Sequence, residues 1–217
     1  MKTAIVTGAS SGIGKAITEY LEQNNYKVYK ISRRDGIDIT DISKLEKLEC
    51  LKDKNIKILV NCAGVGIFKP HEEINTKSIQ NLIDTNLTAP IILTKLLLRT
   101  LKKNKGYIFN ITSIEAIRHS KFSALYTATK AGLRAFSMSL FEEVRKDVKV
   151  ISINPDITKT NFFDNLNFSH SEERDSYIDP QSIVKIIDLA LNTDEIIEDI
   201  TIRPKLVKIT KKRINKC

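Results

Sequence analysis

Seven short apolar runs, separated by stretches with helical spacing, set the terms on which this chain can fold. They are "TAIVTG", "KVYKIS", "GIDIT", "IKILVNCAG", "GYIFNITS", "KVISINPD" and "EDITIRP". Between the first two, Ile13, Ile17 and Leu21 recur at the spacing of one helical face. Leu45, Leu48 and Leu51 do the same ahead of the fourth run. A long helix is expected over 76–103, kinked or broken at Pro90, and another over 124–146. A last helix opens at Pro180 behind Asp179 as N-cap. Strands this apolar, alternating with helices, predict an α/β protein whose parallel sheet is covered on both faces. The link from Arg34 to Asp38 leaves no room for a regular helix, so the sheet is expected to be trimmed at its second crossover.

The 217 residues suit one domain, 1–217, rather than two. Within it, 157–177 reads as a substrate loop or lid and 205–217 as a basic tail. No apolar run reaches the ~20 residues of a membrane span; "APIILTKLLL" is interrupted by Lys95. The start "MKTAIVTG" reaches a glycine turn too soon for a signal peptide. Cys50, Cys62 and Cys217 have neither paired nor metal-type spacing, which fits reduced thiols in a cytoplasm. The formal net charge of +9 invites a nucleic-acid reading. The lysines are scattered, however, aromatic residues are only 6% and Trp is absent, so no stacking platform meets a focused basic patch. A lysine-rich solvated surface is the simpler reading, with neither nucleic acid nor membrane as partner. His71, His119 and His170 share no face with other ligand types, so no metal is expected.

The first turn, Thr7-Gly8-Ala9-Ser10-Ser11-Gly12-Ile13-Gly14, joins a strand to a helix. A diphosphate at a helix N-terminus needs free N–H groups and close backbone approach, which side chains at Gly8, Gly12 and Gly14 would block. Such a turn in the first strand–helix unit predicts a Rossmann-type doubly wound sheet, with Gly8, Ser10, Ser11, Gly12, Ile13 and Gly14 around a dinucleotide. The second strand then ends beside the adenosine ribose. An acid there pairs with ribose hydroxyls, whereas arginine accommodates a 2′-phosphate. The sequence places Arg33 and Arg34 at that point, with Asp35 next to them. A guanidinium–phosphate contact is worth roughly 1.5–3 kcal/mol, so NADP(H) is expected over NAD(H). Asp38 and Ile39 fall where the adenine edge would lie.

"YTATKAG" puts Tyr126 and Lys130 four apart on an expected helix, hence on one face. A phenol of pKa ~10 is a poor acid–base catalyst at neutral pH, and a neighbouring ammonium with a cationic nicotinamide would lower it. The same spacing recurs at Tyr26 and Lys30, but along a strand that separates them by about 13 Å. Ser113 ends the run "YIFNITS" at the sheet edge where the glycine turn and "NCAG" also lie, the edge where such sheets bind ligands.

From the glycine turn to the last strand the chain resembles the classical short-chain dehydrogenases/reductases. Thr7 to Gly14 match the family's T-G-x3-G-x-G, and Asn61-Cys62-Ala63-Gly64 its N-N-A-G, with Cys62 in place of asparagine. The resemblance implies a catalytic set of Asn86, Ser113, Tyr126 and Lys130. Ser113 and Tyr126 would hold the substrate oxygen, Tyr126 would donate the proton as hydride arrives, and Lys130 would grip the ribose and tune Tyr126. Asn86 would anchor a water relaying protons to Lys130. It further implies cofactor contacts from Asn61, Ala63 and Gly64, and carboxamide contacts from Thr158 and Thr160. Asp156 stands where the family has glycine. There it could favour the oxidised ring, shift substrate choice or point away.

Together these features predict an NADPH-dependent reductase of a small-molecule ketone or aldehyde, reversible as an alcohol dehydrogenase, with 3-oxoacyl thioesters as one substrate candidate. A non-catalytic dinucleotide sensor is the alternative, but it has no need of Tyr126, Lys130, Ser113 and Asn86 together. A sugar-nucleotide epimerase also uses a Tyr/Lys pair, with different glycine spacing. Phe162, Phe163 and Phe168 either cover an apolar substrate or pack the lid, and His119 either lines the substrate mouth or sits on the surface. The apolar surface of helices 76–103 and 124–146 exceeds what one sheet face needs, and in the family such helices pair subunits, implying a homodimer or homotetramer.

Overall fold

A computed structural model describes residues 1–212; residues 213–217, with Cys217 and most of the run "KKRINK", lie outside the described residues. Six strands form one parallel sheet in the order β2-β1-β3-β4-β5-β7. They are β1 (Thr3–Thr7), β2 (Lys27–Ile31), β3 (Ile56–Asn61), β4 (Tyr107–Ile111), β5 (Lys149–Pro155) and β7 (Asp199–Ile202). The chain leaves β1 towards β2 on one side and returns to β3 on the other. A crevice therefore opens at the C-terminal ends of β1 and β3, the position where doubly wound sheets take ligands.

Two apolar layers close the faces. Helices α1 (Gly12–Gln23) and α6 (Pro180–Asn192) bury Ile17, Leu21, Ile183 and Ile187 against Val6, Val60 and Ile153. On the opposite face α4 (Ala89–Lys103) and α5 (Ala124–Val144) bury Leu93, Leu97, Leu140 and Val144 against Ile5, Leu59 and Val150. Inward residues thus alternate along each strand, as a sheet covered on both sides requires. Asp179 caps α6, its side chain accepting from the Gln181 N–H, and Pro180 occupies the first turn, where a missing N–H costs nothing.

Three expectations are corrected. The run "GIDIT" is no strand. Residues 33–35 make a single 3-10 turn ended by Gly36 at φ +75, and Asp38 then folds back on Thr40. A parallel neighbour needs a crossover of a dozen residues or more, and too few are available here. The edge is trimmed, as the short link demands. The 76–103 helix is in fact α3 (Thr76–Ile83), a π-turn (Asp84–Thr88) and α4. Pro90 has no N–H for the carbonyl four residues back, that of Asn86, and the ladder there widens to i→i+5. The run at 42–52 shrinks to α2 (Ile42–Leu45) and a 3-10 turn (Glu49–Lys52).

The lid carries its own strand, β6 (Phe168–His170), paired antiparallel with β8 (Ile209–Lys211). The part of the tail that is described therefore fastens the lid. No helix among the described residues is long and apolar enough to cross a membrane.

Leu97 is fully buried at the centre of the α4–sheet interface. Leu97→Ala should cost about 2–5 kcal/mol in urea unfolding, with little change in slope.

Candidate active site

The glycine turn packs so tightly that side chains have no place at Gly8 or Gly14. Gly8 (φ +68) and Gly12 (φ +53) adopt left-handed backbone. A Cβ on Gly8 would sit 2.9 Å from the Ala63 backbone, and one on Gly14 would run into the Gly8 carbonyl. Thr7 stitches the turn to the loop after β3, its hydroxyl oxygen accepting from the N–H groups of Cys62 and Ala63 at 3.0 Å each. The Ser11 hydroxyl caps nothing at the start of α1, so N–H groups of its first turn stay without a side-chain cap at the crevice, while the Gly14 N–H faces the Cys62 sulfur.

That crevice holds about 520 Å³. Of the residues expected at a dinucleotide, Gly8, Ser11, Gly12, Ile13, Gly14 and Arg33 line it, as do Ala63, Gly64, Thr158, Thr160 and Lys130. Others are placed differently. Ser10 receives a hydrogen bond on its carbonyl from Arg34, at 3.2 Å, so Arg34 lies along the outside of the turn. Asp38 is exposed, and the Thr40 N–H and hydroxyl hold its carboxyl below the usual range. Ile39 is buried in the core beside β2. Asn61 lies under the crevice rather than in it, donating to Asn110 Oδ1 at 2.7 Å. Asp35 accepts from the Ser32 hydroxyl at 2.5 Å.

Asn86 sits in the π-turn and is fully buried. Its Oδ1 accepts from the Val65 N–H and its Nδ2 donates to the Val65 carbonyl, both at 2.9 Å, with Thr129 at 3.2 Å. The amide therefore clamps the loop leaving β3. Lys130 Nζ donates to the Ile111 carbonyl at 3.0 Å and lies 5.8 Å from the Tyr126 ring centre. Burial pulls its ammonium down to about 8. Burial also pushes the Tyr126 phenol up, opposed by a hydrogen bond from Ser113 and reinforced by the charge of Glu115. The residue pattern predicts a phenol lowered by Lys130 together with a cationic nicotinamide; in the protein alone desolvation dominates and holds the phenol up. The Cys62 thiol, buried beside Lys130, is pushed up to about 12.

Beside Tyr126 the 157–177 segment and Phe68 build an aromatic cluster. The Phe68 and Phe162 rings lie 5.0 and 6.0 Å from Tyr126, and Phe163 and Phe168 pack behind them. These rings line a second cavity of about 510 Å³ that Ser113 also faces. Asp156 borders both cavities and is 7% exposed. Arg203 donates to it at 3.0 Å and Arg118 lies 3.6 Å away, so its charge is compensated. His119 is exposed and lines neither cavity. Sequence reasoning does not single out Phe68, Glu115, Arg118 or Arg203. The crowding of polar residues in "SIEAIRHS", directly after Ser113, is the available signal for two of them.

Residues 36–170 match the family model described as short chain dehydrogenase. An uncharacterized oxidoreductase of Staphylococcus epidermidis is 30% identical over 94% of this chain and 97% of its own length. A serine 3-dehydrogenase of Agrobacterium fabrum is 36% identical over 74% of this chain and 73% of its own. Among solved structures, an alcohol dehydrogenase from Thermococcus sibiricus complexed with 5-hydroxy-NADP superposes with a TM-score of 0.82 at 24% identity. The match covers 94% of this chain and 97% of that one, a likeness of fold.

Lys130 gives the site a pH signature. Its unfolded pKa is about 10.4 against about 8 in the fold, so between those values the unfolded chain binds more protons and stability rises with pH. The melting temperature of the wild type relative to Lys130→Met should climb from pH 8 to 10. A flat difference would contradict the buried ammonium.

Proposed function

The chain belongs to the short-chain dehydrogenase/reductase family of NAD(P)-dependent oxidoreductases acting between CH–OH and C=O; from that premise we propose that it is an NADPH-dependent reductase of a small-molecule ketone or aldehyde, reversible as an alcohol dehydrogenase. The observation that carries the cofactor preference is Arg33 on the wall of the crevice, with Arg34 beside it and Asp35 engaged by Ser32. Arg33 faces the crevice and offers a ribose 2′-phosphate a charge-assisted donor, whereas Asp35, the one carboxylate beside the arginines, is turned to Ser32 and does not line the crevice.

In this reading the bound cofactor supplies the hydride. The open N–H groups at the head of α1 face its diphosphate, and Thr158 and Thr160 stand at the carboxamide. Ser113 Oγ and the Tyr126 hydroxyl hold the substrate oxygen, and Tyr126 gives it a proton. Lys130, anchored on the Ile111 carbonyl, grips the ribose and stabilises the phenolate left behind. The side chain of Asn86 is committed to Val65 and Thr129. Its part in proton relay therefore falls to its main-chain carbonyl, to which Pro90 cannot donate. Phe68, Phe162 and the lid exclude water from the phenol. An apolar cavity admits a 3-oxoacyl thioester as one substrate, though any carbonyl with an apolar body fits equally.

Half-buried Ile92, Leu98 and Phe136 on α4 and α5 are apolar surface that a second copy would cover, in a homodimer or homotetramer. The described cysteines, Cys50 and Cys62, are both free thiols, which suits a cytoplasmic enzyme.

Parallel fluorescence titrations at fixed salt should find NADPH bound at least about tenfold tighter than NADH, with Arg33→Ala eroding the gap. Equal affinities would defeat the NADPH assignment. Tyr126→Phe should lower turnover by about a hundredfold or more while NADPH affinity survives. Undiminished turnover would remove Tyr126 from the chemistry, and absence of turnover in the wild type across a carbonyl panel would favour the sensor.

A further inference from the structure

The second cavity is apolar in its walls and basic around them. Phe68, Phe162, Phe168, Ile114 and Ile157 form the walls, and Ser113 marks the reactive end. Arg118, Lys121, Lys211 and Lys212 also border it, against two carboxylates, Glu115 and Asp156. Both carboxylates are buried and already satisfied. Glu115 accepts from Arg118 Nε at 2.9 Å, Ser120 at 2.7 Å and Ser123 at 2.9 Å. Asp156 is held by Arg203, which adds a fifth cation to the neighbourhood. Among the described residues Lys212 donates to neutral carbonyls, those of Phe163 and Asp164, which do not cancel its charge. The field inside is therefore positive, and low-dielectric aromatic walls concentrate it.

The loop that supplies the charge also supplies the catalytic serine. Arg118 follows Ser113 by five residues around the 3-10 turn Ile114–Ala116, and Glu115 ties the loop together. At the mouth Phe122 is 46% exposed in a left-handed conformation, φ +66, with Lys121 Nζ 4.9 Å above its ring. A bulky residue rarely adopts that backbone, and the strain holds an aromatic face and an ammonium together at the entrance.

We propose that this cavity takes a substrate with an apolar body and an anionic far end, its carbonyl or alcohol carbon at Ser113 and its carboxylate or phosphate among Arg118, Lys121 and Lys211. The orientation of the reacting carbon rests on the reductase reading; the anion preference rests on the cavity alone. A neutral molecule of the same shape gains the aromatic contact and forfeits the charge-assisted bonds. A cation is repelled.

Calorimetric titration of the full chain with octanoate, octyl phosphate and methyl octanoate separates these cases without requiring turnover. One or both anions should bind about tenfold tighter than the ester, and their ratio identifies which anion the mouth prefers. In the Lys121→Gln/Lys211→Gln variant, checked for native circular dichroism, the anion-to-ester ratio should fall towards one. Arg118 is left intact because it also neutralises Glu115. Ester binding as tight as both anions, no binding of either anion, or a ratio the variant does not move would overturn the proposal. Anion selectivity with no carbonyl turnover would instead remove the reductase reading and leave the anion site standing. Turnover without selectivity would do the reverse.

Discussion

A phenol and an ammonium buried side by side are an expensive pair to maintain, and the structure around them is arranged by that cost. Water solvates neither group well, so burial drives Lys130 towards its neutral form and Tyr126 away from its ionised one. The Ile111 carbonyl gives the lysine one partner. The remaining compensation has to come from the crevice above, where a cationic nicotinamide and ribose hydroxyls would stand. The protein on its own thus holds a phenol that is reluctant to ionise. Cofactor charge is what would bring the phenolate within reach, which couples chemistry to the presence of the dinucleotide.

Several features far apart in sequence serve that pair. The π-turn forced by Pro90 carries Asn86 to the loop after β3, and the clamp on Val65 keeps that loop against the crevice. The aromatic cluster of the lid covers the phenol, and the strand pairing of β6 with β8 holds the lid from the far end of the described chain. Asp156, an acid at a crowded junction, is tolerated because Arg203 and Arg118 neutralise it. Without them its charge would oppose any phenolate nearby.

The sheet, the crevice and the closeness of Tyr126 to Lys130 were legible because each depends on local rules: apolar runs, helical spacing, a glycine turn that excludes side chains at its glycines, two residues one helical turn apart. Tyr126 and Lys130 could be paired from spacing, and the second pair, Tyr26 and Lys30, dismissed by the same geometry. What stayed hidden depends on contacts distant in sequence. "GIDIT" has strand composition, yet the chain before it is too short to lay it beside β2, and Asp38 bonds Thr40 instead. Asn61 carries a motif match, but its side chain points into a buried amide network with Asn110, which pairs with it across β3 and β4. Arg203 and Asp156 are 47 positions apart, and no spacing rule connects them. How strongly burial raises the Tyr126 phenol in the protein alone was also beyond the sequence, because it turns on how completely distant segments remove water.

The central claim, that cofactor charge rather than Lys130 alone makes Tyr126 a usable acid, can be read directly from the phenol. An ultraviolet pH titration near 295 nm, taken as wild type minus Tyr126→Phe, isolates this tyrosine from the other five of the six in the chain. Without cofactor its ionisation should lie above the ordinary tyrosine value, and saturating NADP+ should move it down by a unit or more, about 1.4 kcal/mol or greater. An apo phenol that already titrates below the ordinary value, or one that NADP+ leaves in place, would contradict the account.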